Sequence, residues 1–273
     1  DNAKRIEIDL NTEIADHFAA TDPDNPAFFE FLMNFENVVG TDFDDEIRGS
    51  ADDNKLEGGE GDDFIHGRRG DDTLLGNQGD DTLEGGLGND ILKGGKGDDT
   101  LFGGHGANNG LVLGGDILFG GDGDDTLFAG EGNNEAFGGE GDDLILPDLD
   151  GVDDPTGVFS NNLVATGGAD SDTFVFVDGI SSTSLRITDF DDTEDFIEFR
   201  GIERPGGWLT PNIGRAVTDL DDLDTVEDGI ITTADFGWEL TTDGTGLKFT
   251  TNDGASLVIE GVTSFDADAL IIG

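Results

Sequence analysis

A nine-residue pattern repeats without any slip in register from residue 58 to residue 102. Its five copies read GGEGDDFIH, GRRGDDTLL, GNQGDDTLE, GGLGNDILK and GGKGDDTLF. Position one is glycine, position four is glycine, position six is aspartate, and position eight is isoleucine or leucine. The same pattern covers residues 40–57 and returns in residues 120–146. A short strict period of this kind predicts a solenoid, in which each unit stacks on its neighbours.

Each unit divides into a six-residue turn and a three-residue strand. Glycine suits the turn because it tolerates positive φ and close backbone contact. The middle residue of each strand is expected to point inward: Ile47, Leu56, Ile65, Leu74, Leu83, Leu92 and Leu101. Two units make one coil, and coils should stack at roughly 4.8 Å, the ordinary strand spacing. Such a thin core cannot by burial alone offset the entropy of ordering so many glycines.

The acidic residues of the turns suggest what else holds the coils together. Position six is occupied by Asp45, Asn54, Asp63, Asp72, Asp81, Asp90, Asp99, Asp125, Asn134 and Asp143. Stacking aligns every second turn, so these side chains form two columns of like charges that repel. A divalent cation between the turns would reverse that repulsion. All-oxygen ligands in a flexible cage suit Ca²⁺ better than Mg²⁺, and the chain has no cysteine for a soft metal.

These units resemble the RTX repeats of secreted Gram-negative proteins, which are known for a calcium-binding nonapeptide. The resemblance implies an all-β fold, a right-handed parallel β-roll with an N-terminal cap and a β-rich C-terminal cap. It also implies several Ca²⁺ ions stacked in two columns, with main-chain carbonyls as further ligands. The implied carbonyl ligands are those of Gly59, Gly61, Arg68, Gly70, Gly76, Gln78, Gly85, Leu87, Gly94 and Lys96. Asp116 and Asp172 extend the set of acidic ligands.

Four regions are predicted along the chain. Residues 1–39 form the N-terminal cap, 40–146 the roll, 147–176 a loop and a final repeat, and 177–273 the C-terminal cap. Residues 5–10 alternate like a strand. The aromatic residues of 28–39 are interpreted as core, with an interaction surface as the alternative. Phe174 and Phe176 of the final repeat are expected to plug the last coil.

Residues 268–273 place an acid before an aliphatic tail. This resembles the uncleaved C-terminal signal of type I secretion, and an ordinary final strand is the alternative.

The array is interrupted once, at residues 103–119, where 17 residues stand in place of 9 or 18. One interpretation treats residues 107–114 as an insertion into a single unit that carries Asp116. The other treats the segment as two units, which places Gly110 at an inward position and Leu111 in a turn. The insertion is favoured because loops accept added length at small entropic cost.

Two further candidate sites lie in the C-terminal region. Residues 224–235 resemble an EF-hand loop with Asp224, Asp228 and Asp235 as ligands, although Val226 stands where an oxygen ligand is expected. The alternative is an aspartate-rich turn before a strand. Trp208 and Trp238 are candidates for stacking on the sugars of a polysaccharide, and the alternative is that they anchor a small core. A cell surface is the other partner considered besides calcium.

The composition excludes several function classes. With 13 basic and 63 acidic residues, the net charge of −50 argues against nucleic acid as a partner. The sequence contains no run of 18 apolar residues, so no membrane-spanning helix is predicted. No H-E-x-x-H pair, G-x-S-x-G elbow or phosphate-binding loop is present, so the chain is predicted not to be an enzyme.

The predicted function is a secreted, extracellular calcium-binding module that folds on binding Ca²⁺ outside the cell. It is expected to be a non-catalytic C-terminal part of a larger protein exported by type I secretion. The alternatives are an accessory domain of an extracellular enzyme (a serralysin-like protease, a lipase or an alginate epimerase) and a surface-layer or adhesion component.

Overall fold

The structure is a computed structural model of the chain. It describes residues 7–10, 36–105, 115–147, 161–178, 184–201, 203–204, 207–208, 230–231, 238–242, 244–250, 256–266 and 270–272.

The described residues form short strands joined by turns, without a helix. The strands before the interruption are β1 (Glu7–Asp9), β2 (Asn37–Val39), β3 (Glu46–Arg48), β4 (Lys55–Glu60), β5 (Phe64–Arg69), β6 (Thr73–Gln78), β7 (Thr82–Leu87), β8 (Ile91–Lys96) and β9 (Thr100–His105). Those that follow are β10 (Ile117–Asp122), β11 (Thr126–Phe128), β12 (Gly132–Glu140), β13 (Leu144–Leu146), β14 (Asn161–Ala169) and β15 (Thr173–Asp178). The C-terminal region adds β16 (Ser184–Ile187), β17 (Phe196–Gly201), β18 (Glu203–Arg204), β19 (Gly207–Trp208), β20 (Ile230–Ile231), β21 (Trp238–Leu240), β22 (Leu247–Thr250), β23 (Ser256–Ile259), β24 (Phe265–Asp266) and β25 (Leu270–Ile272).

Successive strands of the repeat alternate between two sheets. The first sheet has the order β1-β3-β5-β7-β9-β11-β13-β15-β17-β25. The second has the order β2-β4-β6-β8-β10-β12-β14-β16-β23-β22-β21. Pairing is parallel throughout the first sheet, and in the second it is parallel from β2 to β23. A chain that crosses between two sheets at every unit and pairs in parallel is a β-roll, so the predicted fold is confirmed.

The core is one ladder of side chains per sheet. In the first sheet Ile47 pairs with Ile65, and Ile65 pairs with Leu83. In the second sheet Leu56 pairs with Leu74. Each of these partners is 18 residues from the next, one coil of two units. All seven inward residues predicted from the repeats are fully buried. Period-two alternation in the strands therefore places the aliphatic residue of each unit inside, as position eight predicts.

The interruption changes the spacing but not the register. Ile91 pairs with Ile117, and Thr100 pairs with Thr126. In each pair the two residues are 26 positions apart in the sequence, which is one 18-residue coil plus eight residues. The predicted eight-residue insertion is therefore confirmed, and the two-unit alternative is wrong because it would have paired β9 with β10. Residues 107–114 themselves lie outside the described residues.

The N-terminal segment begins both sheets. The strand predicted in residues 5–10 is present as β1, which pairs with β3, and β2 pairs with β4. Ile8 and Val38 are buried and extend the two core ladders by one residue each. The aromatic residues at positions 28–35 lie outside the described residues.

Stacking continues past the last predicted coil, which corrects the expected role of Phe174 and Phe176. Both are buried, but β15 pairs onward with β17, and β17 pairs with β25. The reason is that Ile197 provides another aliphatic residue at the inward position, fully buried beside Phe174. In the second sheet, β23 is followed by the antiparallel strands β22 and β21.

No helix within the described ranges has the length and apolar character needed to cross a membrane.

Candidate metal centre

The position-six side chains form two buried columns, one along each sheet. The first column contains Asp45, Asp63, Asp81, Asp99, Asp125, Asp143, Asp172 and Asp195. The second column contains Asn54, Asp72, Asp90, Asp116 and Asn134. Each of these side chains is no more than 5% exposed. The turns of the repeat therefore bury a line of side chains, most of them carboxylates, which in most proteins lie at the surface.

From Asp63 onward in the first column and from Asp72 onward in the second, one side-chain oxygen of each position-six residue is used to join the coils. The N–H of Asp63 donates to Oδ1 of Asp81 at 2.8 Å, and the N–H of Asp81 donates to Oδ1 of Asp99 at 2.8 Å. The same bond links neighbouring coils across the interruption, where the N–H of Asp99 reaches Oδ1 of Asp125 at 2.7 Å. A hydrogen bond to a charged acceptor is shorter and stronger than a neutral one. The columns thus hold the turns in register.

The second oxygen of most of these carboxylates has no partner. Within the described part of the chain, Oδ2 is buried without a hydrogen bond in Asp63, Asp72, Asp81, Asp90, Asp99, Asp125 and Asp143. Nearly all buried polar groups in folded proteins are hydrogen-bonded, so a run of seven exceptions needs an explanation. A cation that binds these oxygens would provide one.

The glycine at position one leaves room for such a cation. A Cβ added to Gly76 would lie 2.1 Å from Oδ2 of Asp81 and 2.7 Å from the carbonyl oxygen of Gly94. A Cβ added to Gly120 would lie 2.2 Å from Oδ2 of Asp125 and 2.7 Å from the carbonyl oxygen of Gly138. Two acceptor oxygens from successive coils therefore face one small space that any other residue would fill. We call this space the position-one cradle.

Main-chain carbonyls must complete any site of this kind. Among the described residues, no group of three or more acidic, histidine or cysteine side chains is placed to hold a metal ion. One or two carboxylates with several carbonyls is a donor set that suits Ca²⁺, which takes six to eight oxygen ligands. The carbonyl of Gly94 faces its cradle as the resemblance implies, and the remaining carbonyl ligands stay predictions.

Backbone conformation explains the glycines of the turn. Gly59 at position two and Gly61 at position four have φ of +135° and +113°. Arg68 replaces glycine at position two with φ of +81°. Its guanidinium donates to both carboxylate oxygens of Asp9, at 2.6 and 2.7 Å, and to the carbonyl oxygen of Gly49 at 2.9 Å. The side chain of Arg68 therefore ties β1 to the first coils.

Without a cation, burial makes the carboxylates hard to ionise. Burial raises the pKa of Asp81, Asp90 and Asp143 to about 8, and neighbouring carboxylates add to the effect. For Asp99 and Asp172 the pKa rises to about 7 for the same reasons. The N–H donor from the adjacent coil opposes the shift but does not cancel it. A bound cation would counteract the rise in pKa, because opposite charge favours the ionised form.

Three turns at the ends of the columns differ, because a backbone N–H of the same turn donates to the position-six side chain. The N–H of Thr41 donates to Oδ2 of Asp45 at 2.6 Å. The N–H of Asp191 donates to Oδ2 of Asp195 at 2.8 Å. In the second column the N–H of Ser50 donates to Oδ1 of Asn54 at 2.7 Å. We call these closed turns, and those with an unpartnered Oδ2 open turns.

Two features of the site were missed in the sequence. Asp195 continues the first column after Asp172, and the segment Asp195-Phe196-Ile197 has the acid-any-aliphatic order of a repeat, which was a usable signal. Position five forms a second, exposed ladder, in which the N–H of Asp80 donates to Oδ1 of Asp62 at 3.0 Å. This ladder runs from Asp44 to Ser171 in the first sheet.

Other predicted residues cannot be placed. Asp224, Asp228 and Asp235 lie outside the described residues. So do the side chains of Trp208 and Trp238, whose backbones belong to β19 and β21.

Comparison with known proteins agrees with this geometry. The family model of the RTX calcium-binding nonapeptide repeat (4 copies) matches residues 39–74, 75–109 and 113–145. The roll is built from RTX calcium-binding repeats. RTX repeats are a Ca²⁺-binding module of secreted proteins, and the buried oxygens and cradles fit that ion.

Similar solved structures include an extracellular lipase, LipA from Serratia marcescens. It is 16% identical, and the match covers 82% of this chain and 39% of the lipase chain with a TM-score of 0.27. The chain thus spans well under half of the lipase, and a similarity this low transfers no activity. No curated protein matches the chain.

Proposed function

We propose that this chain is a calcium-dependent folding module of a protein that works outside the cell. In calcium-poor cytosol the carboxylate columns repel and the repeats stay unfolded, which keeps the chain suitable for export. Outside, Ca²⁺ enters the cradles and the roll forms. The observation that carries the proposal is the set of seven buried, unpartnered Oδ2 atoms among the described residues.

The magnitudes favour control by the ion. A buried polar group without a partner costs about 1–3 kcal/mol, and more when it is charged. Seven such groups together cost an amount comparable with the whole stability of a typical domain, about 5–15 kcal/mol. A ligand present at 100 times its dissociation constant stabilises the folded state by about 2.7 kcal/mol per site. Occupancy of a few sites is therefore enough to decide whether the roll folds.

The chain's own residues divide the work of binding. In five of the open turns, Oδ2 of the position-six aspartate faces the cradle together with the position-one carbonyl of the next coil; these are the turns of Asp72, Asp81, Asp90, Asp125 and Asp143. Oδ1 holds the neighbouring coil by its N–H bond. The ion supplies the positive charge that lets both carboxylates of adjacent coils stay ionised. Glycine at position one keeps the space clear.

The module is proposed to be a non-catalytic part of a larger protein that leaves the cell by type I secretion. Residues 270–272 form β25 at the edge of the first sheet and pair with β17. A strand at this place is compatible with both the export signal and the ordinary final strand predicted for residues 268–273. Binding of polysaccharide stays a prediction that rests on Trp208 and Trp238, and binding to a cell surface stays a prediction as well.

Calcium titration tests the folding proposal. The purified chain in EGTA is expected to show little β-structure by circular dichroism, with a cooperative gain as Ca²⁺ rises into the millimolar range. Mg²⁺ at equal concentration should fail to substitute, since it keeps its waters and demands octahedral geometry. A calcium-free chain with the full native spectrum would contradict the proposal.

Export is tested separately. The chain is expressed with a type I secretion apparatus, and its amounts in cells and medium are compared with those of a version that ends at residue 267. The full chain should reach the medium and the shortened one should remain inside. Equal export of both would remove residues 268–273 from the proposed signal without affecting the calcium proposal.

A further inference from the structure

One unit within the array departs from the repeat at the two positions that form the cradle. Residues 129–137 have Ala129 at position one, where the neighbouring units have glycine, and Asn134 at position six. Both residues are buried. The alanine and the asparagine therefore alter the same small space from two sides.

The oxygen of Asn134 behaves like that of an aspartate. Its Oδ1 accepts the N–H of Asp116 at 2.9 Å, the same bond that joins the other coils of the column. Its Nδ2 therefore takes the place where an aspartate carries the unpartnered Oδ2. This nitrogen donates to the carbonyl oxygens of Ala129 and Gly130, at 2.8 and 3.0 Å. The amide of Asn134 thus donates two hydrogen bonds within its own turn, at the place where the open turns have an unpartnered Oδ2.

The carbonyl that Asn134 occupies is the one that a cation would need. A Cβ added to Gly103, the position-one residue of the preceding coil, would lie 2.4 Å from the oxygen of Ala129 and 2.8 Å from Oδ2 of Asp116. The cradle between these two coils is therefore faced by the same pair of oxygens as in the open turns. Here one of the pair already accepts a hydrogen bond from the amide.

Among the described residues, the coil beyond has no acid at the equivalent place. Asn134 pairs with Leu163 of β14, so the next residue of the second column is aliphatic. Leu163 is 2% exposed and belongs to the core. The first column, by contrast, continues through Asp143 and Asp172 to Asp195. The second column ends at Asn134.

We propose that Asn134, with Ala129, ends the second column without an ion, because the amide group takes the role that Ca²⁺ plays in the other turns. The inference rests on the proposed calcium binding and adds that the two columns hold unequal numbers of ions. A neutral donor suits this place, since the described residue that stacks on Asn134 in the next coil is Leu163 and not an acid that would share a cation. The last coil of the column is then held without calcium.

Restoring the repeat should restore a site. The variant Ala129→Gly/Asn134→Asp is expected to bind one Ca²⁺ more per chain than the natural sequence, counted by equilibrium dialysis in saturating calcium. The matched control is Asn133→Asp, which adds the same charge one residue away at an exposed position. The control should leave the number of bound ions unchanged. Circular dichroism in the same buffer verifies that each variant is folded.

The reciprocal variant is a second measurement should the first fail to fold. Gly120→Ala/Asp125→Asn copies the closing residues into an open turn of the first column and is expected to bind fewer ions. An unchanged count in both folded variants, or an equal gain in the Asn133→Asp control, would overturn the inference. If the natural sequence binds no calcium at all, the proposed function itself is wrong, and the two failures are thereby distinguished.

Discussion

The closed turn at the start of the first column and the open turns that follow it use the same acid in different ways. Asp45 receives the N–H of Thr41 on Oδ2 and its hydroxyl on Oδ1, so its own turn provides the donors. Asp63 and Asp81 accept a bond on Oδ1 alone, and their Oδ2 atoms are buried without a partner. The closed turn supplies donors to both oxygens of its acid, whereas the open turns leave Oδ2 without a donor from the chain.

Position two explains the difference. Thr41 is not among the residues with positive φ, whereas Gly59 has φ of +135°. A left-handed residue at position two changes the direction of the peptide, and the donor that serves Asp45 is absent from the turn of Asp63. An aspartate at position six is therefore not sufficient for a cation site. The conformation at position two decides whether the backbone donates to the second oxygen of the acid or leaves it without a partner.

The largest expected effect is that the open turns lose their folded structure when calcium is removed. Hydrogen exchange, followed by peptide mass spectrometry, should show protection in residues 58–102 that rises at least about 100-fold with saturating calcium, since one site at 100 times its dissociation constant contributes about 2.7 kcal/mol. Residues 40–57 should gain less because their turns donate to their own side chains. A uniform gain across both segments would remove the distinction between closed and open turns.

Removal of single acids should follow the same order. Asp81→Ala is expected to raise the calcium midpoint of folding by roughly tenfold or more, since an interaction with a charged group is worth about 1.5–3 kcal/mol. Asp45→Ala should have a smaller effect because it lies at the end of the column in a closed turn. Asp80→Ala, an exposed neighbour, serves as the control. Equal midpoints for the Asp81 and Asp45 variants would argue against shared sites between stacked turns.

Acid should partly replace calcium in the open turns. In the calcium-free chain, burial raises the pKa of Asp81 and Asp143 to about 8, whereas an unfolded aspartate titrates near about 3.9. The folded state then binds more protons between these values, so its stability rises as the pH falls from 8 towards 4. The β-signal in EGTA should therefore increase from pH 8 to pH 5, and less so in Asp81→Asn. A loss of structure over this range would contradict the prediction.

The smallest effect is expected in the closed turn itself. Thr41→Ala removes the hydroxyl that lies 3.2 Å from Oδ1 of Asp45 but keeps the N–H that serves Oδ2. The change should lower the free energy of unfolding by no more than about 1 kcal/mol and leave the calcium midpoint unchanged. Chemical denaturation at fixed calcium measures the first quantity, and titration measures the second. A shift in the midpoint would show that this turn also depends on the ion.

The repeat predicted a solenoid and its inward ladder, the resemblance to RTX repeats implied the roll, and the eight-residue insertion was the favoured of two interpretations. The reason is that a period of nine with one aliphatic residue leaves a single way to bury that residue, and a slip of register would expose it. Ile65 and Leu74, for example, could be assigned to the core before any strand was known. At the interruption the repeat left two alignments open, and the bond from Asp99 to Asp125 in the structure is the one that the insertion requires.

The tertiary structure decided which position-six residues lack a partner. Asp45, Asp81 and Asn134 occupy equivalent places in the sequence pattern, yet their second side-chain atoms meet an N–H donor, no donor, and two carbonyl oxygens respectively. These outcomes depend on the φ angle at position two and on the residue at the same level of the next coil. Both are properties of stacked turns, so a pattern read along one chain could not distinguish them.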